Sequence, residues 1–84
     1  MVPTISPFQL PSLSAEIEYG TVSQWLKSEG DRVERGEPIV DVEVDKVTET
    51  IDAPVSGLLA EIVALAGDEV KVGGLLAVIE DDGA

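Results

Sequence analysis

The sequence predicts an all-β domain, a closed sandwich or flattened barrel of two small sheets related by a pseudo-twofold axis. Three observations favour this fold class. The chain has 84 residues without cysteine or histidine, so neither disulfides nor a zinc site of the usual ligand types can replace a hydrophobic core. Short β-rich segments are separated by glycine-containing turn signals. One block of sequence also occurs twice, and a single copy could not bury its own apolar face.

The first half of the chain contains the segments of the first copy. Residues 1–11 hold three prolines and indicate an extended lead-in or an edge strand, because proline has no N–H to donate to a sheet. Residues 16–20 suggest a loop, Thr21–Lys27 predicts a strand from its β-forming residues, and residues 28–38 predict two turns around a short strand. Ile39–Asp45 then alternates valines with acidic residues, which is typical of a strand with one buried face.

The second half repeats this plan. Gly20–Val33 aligns without a gap with Gly57–Val70, and both blocks end in Gly-Asp-x-Val. The second copy therefore begins at about Lys46, which predicts a turn at Asp45 and Lys46 between the two copies. Local chemistry does not predict this turn by itself, because no Asn-Gly or Gly-Gly occurs there and residues 42–51 could form one long strand.

The predicted core follows from these strands and their alternation. It consists of Val22, Leu26, Val33, Ile39, Val42, Val44, Ile51, Leu59, Val63, Val70, Leu76 and Val78. Trp25 is expected to pack against the sheet.

Charge narrows the function classes. The formal net charge of −12 disfavours nucleic acids and anionic membranes as partners and favours partners with basic docking surfaces. No apolar run is long enough for a transmembrane helix, and the first residues lack the features of a signal peptide. We therefore expect an intracellular domain, monomeric in isolation, that is cytoplasmic in a bacterium or in the mitochondrial matrix of a eukaryote.

Lys46 is the residue with the best candidate chemistry. It is one of three lysines, it lies at the junction of the two copies, and acidic residues precede it. The chain lacks phosphate-binding loops, nucleophile–base pairs and aromatic platforms for RNA. The residues alone also allow a plain alternative, a solvated lysine that protects an exposed strand from aggregation.

An ordered set of motifs resembles the lipoyl domains of 2-oxo acid dehydrogenase complexes. The motifs, from opening strand to second half, are Leu10–Ser14, Gly20–Gly36, Glu43–Val47, Ala53–Gly57 and Gly67–Leu76. The resemblance implies two four-stranded antiparallel sheets of the lipoyl/biotinyl type, with Lys46 at an exposed hairpin tip and both termini near the opposite end. It also implies a domain at residues 9–80, after a lead-in at 1–8 and before a linker or tail that starts at 81–84.

The same resemblance implies a function. Lys46 would carry lipoic acid through an amide, attached by a lipoate ligase or lipoyl transferase, and Glu43, Asp45, Gly30 and Gly57 occupy positions that help that enzyme identify its target. As the carrier part of a dihydrolipoyllysine-residue acyltransferase, the domain would catalyse nothing itself. It would move acyl groups and reducing equivalents between a thiamine-diphosphate decarboxylase, the acyltransferase core and dihydrolipoamide dehydrogenase. The acyl substrate stays open among acetoin, pyruvate, 2-oxoglutarate and branched-chain 2-oxo acids.

Two departures from the family pattern bear on the site. Glu49 lies where an apolar, inward-facing residue is usual, so either the strand twists until Glu49 reaches solvent or the local register differs. Val44 replaces a common threonine. Residues 46–54 look most like the acetoin-cleaving branch, while the first strand is equally similar to the pyruvate branch.

Three other functions compete with lipoate attachment. A biotin-carrying domain has the same fold but flanks its lysine with methionines, whereas Asp45 and Val47 are the neighbours here. An unmodified module like the lipoyl-like hairpins of membrane-transport adaptors is the second. The third is a metal site on Asp41, Glu43 and Asp45, although a strand presents these as a row without a calcium-binding loop. The loop Ser12–Tyr19 is expected near the tip and is the first candidate for partner docking.

Overall fold

The computed structural model describes residues 4–81, and within them the chain forms two antiparallel sheets of four strands each. One sheet has the order β1-β8-β6-β3 and the other β5-β4-β2-β7. The predicted all-β fold class is confirmed. The strands are β1 (Thr4–Gln9), β2 (Tyr19–Trp25), β3 (Arg32–Val33), β4 (Pro38–Val44), β5 (Val47–Asp52), β6 (Gly57–Ile62), β7 (Glu69–Lys71) and β8 (Leu75–Asp81). No helix in this part of the chain is long and apolar enough to cross a membrane.

The two copies of the repeat exchange strands. Strands β2, β3 and β4 of the first copy correspond to β6, β7 and β8 of the second, but each sheet combines two long strands of one copy with two strands of the other. Strand β4 pairs with β5, and β8 pairs with β1 in the equivalent way. Because neither copy completes a sheet alone, the repeat accounts for the closed sandwich.

The predicted opening strand, Leu10–Ser14, is wrong. Strand β1 lies earlier, at Thr4–Gln9, and pairs with β8 from Thr4–Asp81 to Gln9–Leu75. At Leu10 the chain leaves the sheet. The backbone N–H of Leu10 donates to the carbonyl oxygen of Gly74, its C=O accepts from the N–H of Gly73, and its side chain is buried in the core. Pro11 follows and has no N–H to continue a ladder. Of the two alternatives for residues 1–11, a lead-in or an edge strand, the edge strand is therefore observed at Thr4–Gln9. Residues 4–8, which the family resemblance assigned to the lead-in, belong to this strand, whereas residues 1–3 and 82–84 lie outside the described residues.

Most of the predicted core is buried, with two instructive errors. Leu26 and Val63 are 41% and 44% exposed, and they occupy equivalent positions in the repeat. Each follows a strand whose register shifts, between Val22 and Gln24 in β2 and between Leu59 and Glu61 in β6. A bulge adds one residue and reverses the alternation of faces beyond it. Trp25 and Ile62 therefore pack against the core, and the residues after them point outward.

The remaining core predictions divide as follows. Val22, Val33, Ile39, Val42, Val44, Ile51, Leu59 and Leu76 are buried, while Val70 and Val78 are partly buried. The prediction missed Phe8, Leu10, Val40, Ala53, Ala64, Ala77 and Ile79.

Trp25 ties the two sheets together, as its predicted packing role requires. Its indole Nε1 donates a hydrogen bond to the carbonyl oxygen of Ala64 at 2.7 Å, and its ring meets Phe8 edge-on with centroids 6.5 Å apart. Ala64 and Phe8 both belong to the side of the sandwich built on β1, β6 and β8, whereas Trp25 ends β2. The rigid sandwich formed in this way supports the β4–β5 hairpin, which carries Lys46.

Candidate functional site

Lys46 lies at the tip of the hairpin that joins β4 and β5. Val44 and Val47 are the last paired residues of the two strands, so Asp45 and Lys46 alone make the turn. Both have positive φ, 47° and 67°, as a type I′ turn requires, and this turn type matches the twist of the strands that it connects. The turn inferred from the internal repeat is therefore confirmed, and both side chains are exposed.

The turn is built from residues that do not favour it. Left-handed backbone costs a non-glycine residue roughly 1–2 kcal/mol, although aspartate tolerates it better than most. Neither Asp45 nor Lys46 is asparagine or glycine, the residues that fit a type I′ turn best. The strand pairs behind the turn must therefore hold it in place. Strain that the surrounding structure maintains in this way is typical of functional positions.

Replacing both turn residues with the sequence that best fits a type I′ turn tests whether the present turn is strained. We expect Asp45→Asn combined with Lys46→Gly to raise the free energy of unfolding by about 1–2 kcal/mol, because Asn-Gly is the preferred type I′ sequence. Urea denaturation of the double variant and the parent chain measures the difference. An unchanged or lower stability would show that the lysine turn carries no strain. The single variant Asp45→Asn is the control, since it keeps Lys46.

The amine of Lys46 is not engaged by other side chains of residues 4–81. The salt bridges in this part of the chain join Lys27 to Glu37 at 2.9 Å and Arg32 to Glu34 at 3.0 Å, and no side-chain hydrogen bond involves Lys46. Lys27 differs in this respect. Its hydrogen bond with Glu37 raises the pKa of Lys27 and lowers the pKa of Glu37. Of these two lysines, only Lys46 extends into solvent without a partner.

Acidic side chains surround the tip, and two of the predicted site residues are among them. Glu43 is exposed on β4, in register with Thr21 on one side and Thr48 on the other. Asp45 lies in the turn itself and lines an open recess of about 480 Å³ together with the loop that precedes β2. The recess is also lined by Ser14, Glu16, Ile17 and Glu18 of this loop and by Tyr19, the first residue of β2. The loop Ser12–Tyr19 thus lies beside the tip, as expected.

Gly57 lies away from Lys46, in the other sheet. It begins β6, five residues after Asp52, which pairs with Pro38 at the end of the hairpin farthest from the tip. A Cβ atom at Gly57 would overlap the backbone carbonyl oxygen of Glu80. The close approach of β6 and β8 therefore requires glycine at this position.

Gly30 also has a backbone reason to be glycine. Its φ is +91°, and its N–H donates to the carbonyl oxygen of Leu59 at 2.8 Å. This bond joins the turn after β2 to strand β6 of the other sheet. A Cβ atom at Gly30 would meet no neighbour within 4 Å, so the backbone angle alone selects glycine. The structure thus gathers Glu43, Asp45 and Lys46 at the tip but does not bring Gly30 and Gly57 to it.

Glu49 reaches solvent without a change of register. It pairs with Val42 in the regular ladder of β4 and β5, yet it is exposed, as is Val47. On this face β5 becomes buried only at Ile51. The first four residues of β5 therefore extend beyond the cover of the opposite sheet. Of the two alternatives for Glu49, escape near the tip is the one observed.

The acidic row on β4 shows no arrangement suited to a metal ion. Asp41 accepts a hydrogen bond from the Thr50 hydroxyl at 2.8 Å. Nowhere in residues 4–81 do three or more acidic side chains come together as metal ligands would.

Comparison with known proteins places this geometry in a family. The family described as biotin-requiring enzyme matches residues 6–79. The chain is 47% identical over 73 residues to the dihydrolipoyllysine-residue acetyltransferase component of the pyruvate dehydrogenase complex of Corynebacterium glutamicum, a match that covers 87% of the chain and 11% of that protein. It is 43% identical over 77 residues to the corresponding component of the acetoin cleaving system of Cupriavidus necator, covering 92% of the chain and 21% of the relative. The chain thus spans only a small part of these relatives.

Solved structures agree with the sequence matches. The lipoyl domain of the 2-oxoglutarate dehydrogenase complex from Azotobacter vinelandii, determined by NMR, superposes with a TM-score of 0.71 at 41% identity, covering 87% of the chain and 92% of that domain. A single-chain, multi-domain long-chain acyl-CoA carboxylase shares the fold, with a TM-score of 0.79 at 21% identity over 96% of the chain and 8% of the carboxylase. The chain therefore belongs to the biotinyl/lipoyl attachment family, as a lipoyl domain like those of the 2-oxo acid and acetoin dehydrogenase complexes.

Proposed function

We propose that this domain carries lipoic acid on Lys46 and presents it in turn to the enzymes of a 2-oxo acid or acetoin dehydrogenase complex. The observation that carries the proposal is the position of Lys46 at the apex of a two-residue turn, where its primary amine has no salt bridge or side-chain hydrogen bond within residues 4–81. An amide bond to a carboxylic acid needs such an amine. Relatives named as dihydrolipoyllysine-residue acyltransferases support lipoate as that acid.

The chain's own residues hold the turn that carries Lys46 in a fixed position. Val42 and Val44 are buried and anchor β4, while the ladder to β5 continues up to Val47. The turn thus projects from a fixed base, and flexibility begins at the lysine side chain. When attached, lipoate supplies a dithiolane disulfide that can accept an acyl group and two electrons. No side chain of the domain needs to take part in that chemistry.

The partners follow from this role. A lipoate ligase or lipoyl transferase attaches the group, guided by Glu43 and Asp45 beside the lysine. A thiamine-diphosphate decarboxylase, an acyltransferase core and dihydrolipoamide dehydrogenase then use it in sequence. The net charge of −12 favours docking surfaces with basic residues on these enzymes and raises their rate of encounter with the domain.

The relatives do not favour one acyl group. The acetyltransferases of pyruvate and acetoin complexes are 47% and 43% identical to the chain. The succinyltransferase component of the 2-oxoglutarate dehydrogenase complex of Bacillus subtilis is 39% identical over 77 residues, covering 92% of the chain and 18% of that protein. These values are too similar to separate three substrates. The proposal therefore covers the carrier role and leaves the acyl group open.

Parallel ligation reactions test lipoate against biotin. We expect a lipoate ligase with ATP and lipoate to add one lipoyl group to the domain, measured by intact mass spectrometry. A biotin ligase with ATP and biotin should add nothing, because Asp45 and Val47 replace the methionines of biotin carriers. A biotin adduct without a lipoyl adduct would assign the domain to carboxylases. No adduct in either reaction, from folded protein, would favour the unmodified adaptor module.

A further inference from the structure

The four outer strands of the two sheets differ in how they are protected against pairing with another chain. Strand β3 has two residues and β7 has three, and strands this short offer little edge for pairing. Strand β1 contains Pro7, which cannot donate a hydrogen bond. Short strands and proline are common means of preventing unwanted pairing at sheet edges. Strand β5 is also an edge strand, with six residues and no proline.

The free side of β5 offers backbone groups directly beside Lys46. In a two-residue hairpin the residues flanking the turn, here Val44 and Val47, exchange hydrogen bonds with each other. Because the N–H groups of a strand alternate in direction, Thr48 and Thr50 point their N–H groups and carbonyls away from β4. Four of the six residues are β-branched, and the first four side chains are exposed. This edge is thus ready to pair with another extended chain.

The acidic side chains of β5 determine which extended chains can pair with its free edge. Glu49 projects beyond the cover of the opposite sheet and makes no salt bridge or side-chain hydrogen bond within residues 4–81. Asp52 adds a second exposed carboxylate at the end of the strand. A second copy of this chain would place like charges together along the edge, in addition to the net charge of −12 on each copy. A basic side chain opposite Glu49 would instead gain a partner.

An apolar groove continues the edge toward the base of the hairpin. It holds about 470 Å³ between the ends of β1 and β5, and its lining includes the largely buried residues Phe8, Leu10 and Ile51. A strand added to β5 would direct alternate side chains toward this face. The face is acidic at Glu49 and apolar at Ile51, two residues further along the strand.

We propose that the free edge of β5 is the docking edge for the lipoate ligase that modifies Lys46. The ligase would add one extended segment to the sheet, with a basic side chain opposite Glu49 and an apolar side chain near Ile51. The inference rests on the proposed function, because it names the contact by which a partner holds the hairpin while it reaches the lysine. Pairing with backbone groups would hold the tip in a fixed orientation without covering the Lys46 side chain.

Ligation kinetics with a lipoate ligase test the docking edge. Thr48→Pro removes an outward N–H without removing a bond to β4, and Thr48→Val keeps that N–H in a side chain of similar shape. We expect the KM for the domain to rise about tenfold in the proline variant, the loss expected for one or two hydrogen bonds, with kcat unchanged. The valine variant should match the parent. Thermal melts followed by circular dichroism establish that each variant is folded.

A pair of charge variants tests whether a basic side chain of the ligase lies opposite Glu49. If Thr48→Pro does not fold, this pair is sufficient to test the docking edge. Glu49→Lys inverts the charge at the edge, and Glu61→Lys makes the same change at an exposed position on β6 of the other sheet. We expect KM to rise about tenfold for the first and to stay at the parent value for the second. The docking edge would be overturned if KM changed equally in Glu49→Lys and Glu61→Lys, or if KM stayed unchanged in Glu49→Lys. An unchanged KM in a folded Thr48→Pro variant would also overturn it. These outcomes leave the carrier role intact, whereas failure of the parent chain to be modified would remove the carrier role itself.

Discussion

Gly57→Ala should lower the free energy of unfolding by at least about 3 kcal/mol, the upper part of the range for forcing an extra carbon into a packed site. The added Cβ would overlap the carbonyl oxygen of Glu80 and stand 2.7 Å from the Cα atom of Asp81. Both are backbone atoms of β8, so no side-chain rotation relieves the contact and the two strands must separate. A domain of this length has about 4–13 kcal/mol of stability in total. Chemical denaturation of the variant measures the loss.

The matched control is Gly30→Ala, the other glycine that the family resemblance assigned to recognition. An added Cβ there meets nothing within 4 Å, and only the left-handed backbone opposes alanine, at roughly 1–2 kcal/mol. Gly30→Ala should therefore fold and accept lipoate. A Gly57→Ala variant as stable as the parent but poorly lipoylated would contradict the structural account and support a recognition role for Gly57.

Exchanging the two turn residues, with Asp45→Lys and Lys46→Asp, should leave the fold intact and abolish most of the modification. Both positions have positive φ, so one lysine and one aspartate are still strained in the same way, and we expect the stability to change by less than about 1 kcal/mol. The amine, however, leaves the turn in another direction. Displacement of a reacting group by as little as 1 Å can cost about a hundredfold in rate, and we expect a loss of at least that size in kcat/KM for lipoate ligation.

Asp45→Asn separates the position of the lysine from the charge beside it. This variant keeps Lys46 in place and removes only the carboxylate, so its loss in kcat/KM should be clearly smaller than that of the exchanged turn. Initial rates at several domain concentrations give both values. If the exchanged turn were modified as fast as the parent chain, the ligase would need only an exposed lysine, and the geometry of the tip would not matter.

The sequence predicted the fold class because the internal repeat and the turn signals are properties of the chain itself. The turn at Asp45 and Lys46 is the clearest case, since symmetry predicts it where local propensity does not. The errors arose where pairing overrides local pattern. The bulges after Val22 and Leu59 reverse the alternation of buried and exposed side chains, and no residue in either strand predicts a bulge. The same effect exposes Leu26 and Val63.

The site was predictable only in part. Lys46, Glu43 and Asp45 are close in sequence, so their proximity at the tip follows once the hairpin is known. Whether Gly57 lies near them depends on the path of the chain between β5 and β6, and the structure places it at the start of β6 in the other sheet. The docking edge of β5 has no sequence signal of its own. It is defined by the protection of the three other edges and by the extent of the opposite sheet, which only the assembled sandwich shows.

Site-resolved mass spectrometry after lipoate ligation tests the central claim most directly. The domain has three lysines, and peptide fragmentation distinguishes Lys46 from Lys27 and Lys71. We predict a lipoyl group on Lys46 in the parent chain, none on the other two lysines, and no modification of the Lys46→Arg variant, which keeps a positive charge but offers no amine for an amide. Modification of Lys27 or Lys71 to a similar extent, or of the Lys46→Arg variant, would contradict the account of a single carrier lysine at the hairpin tip.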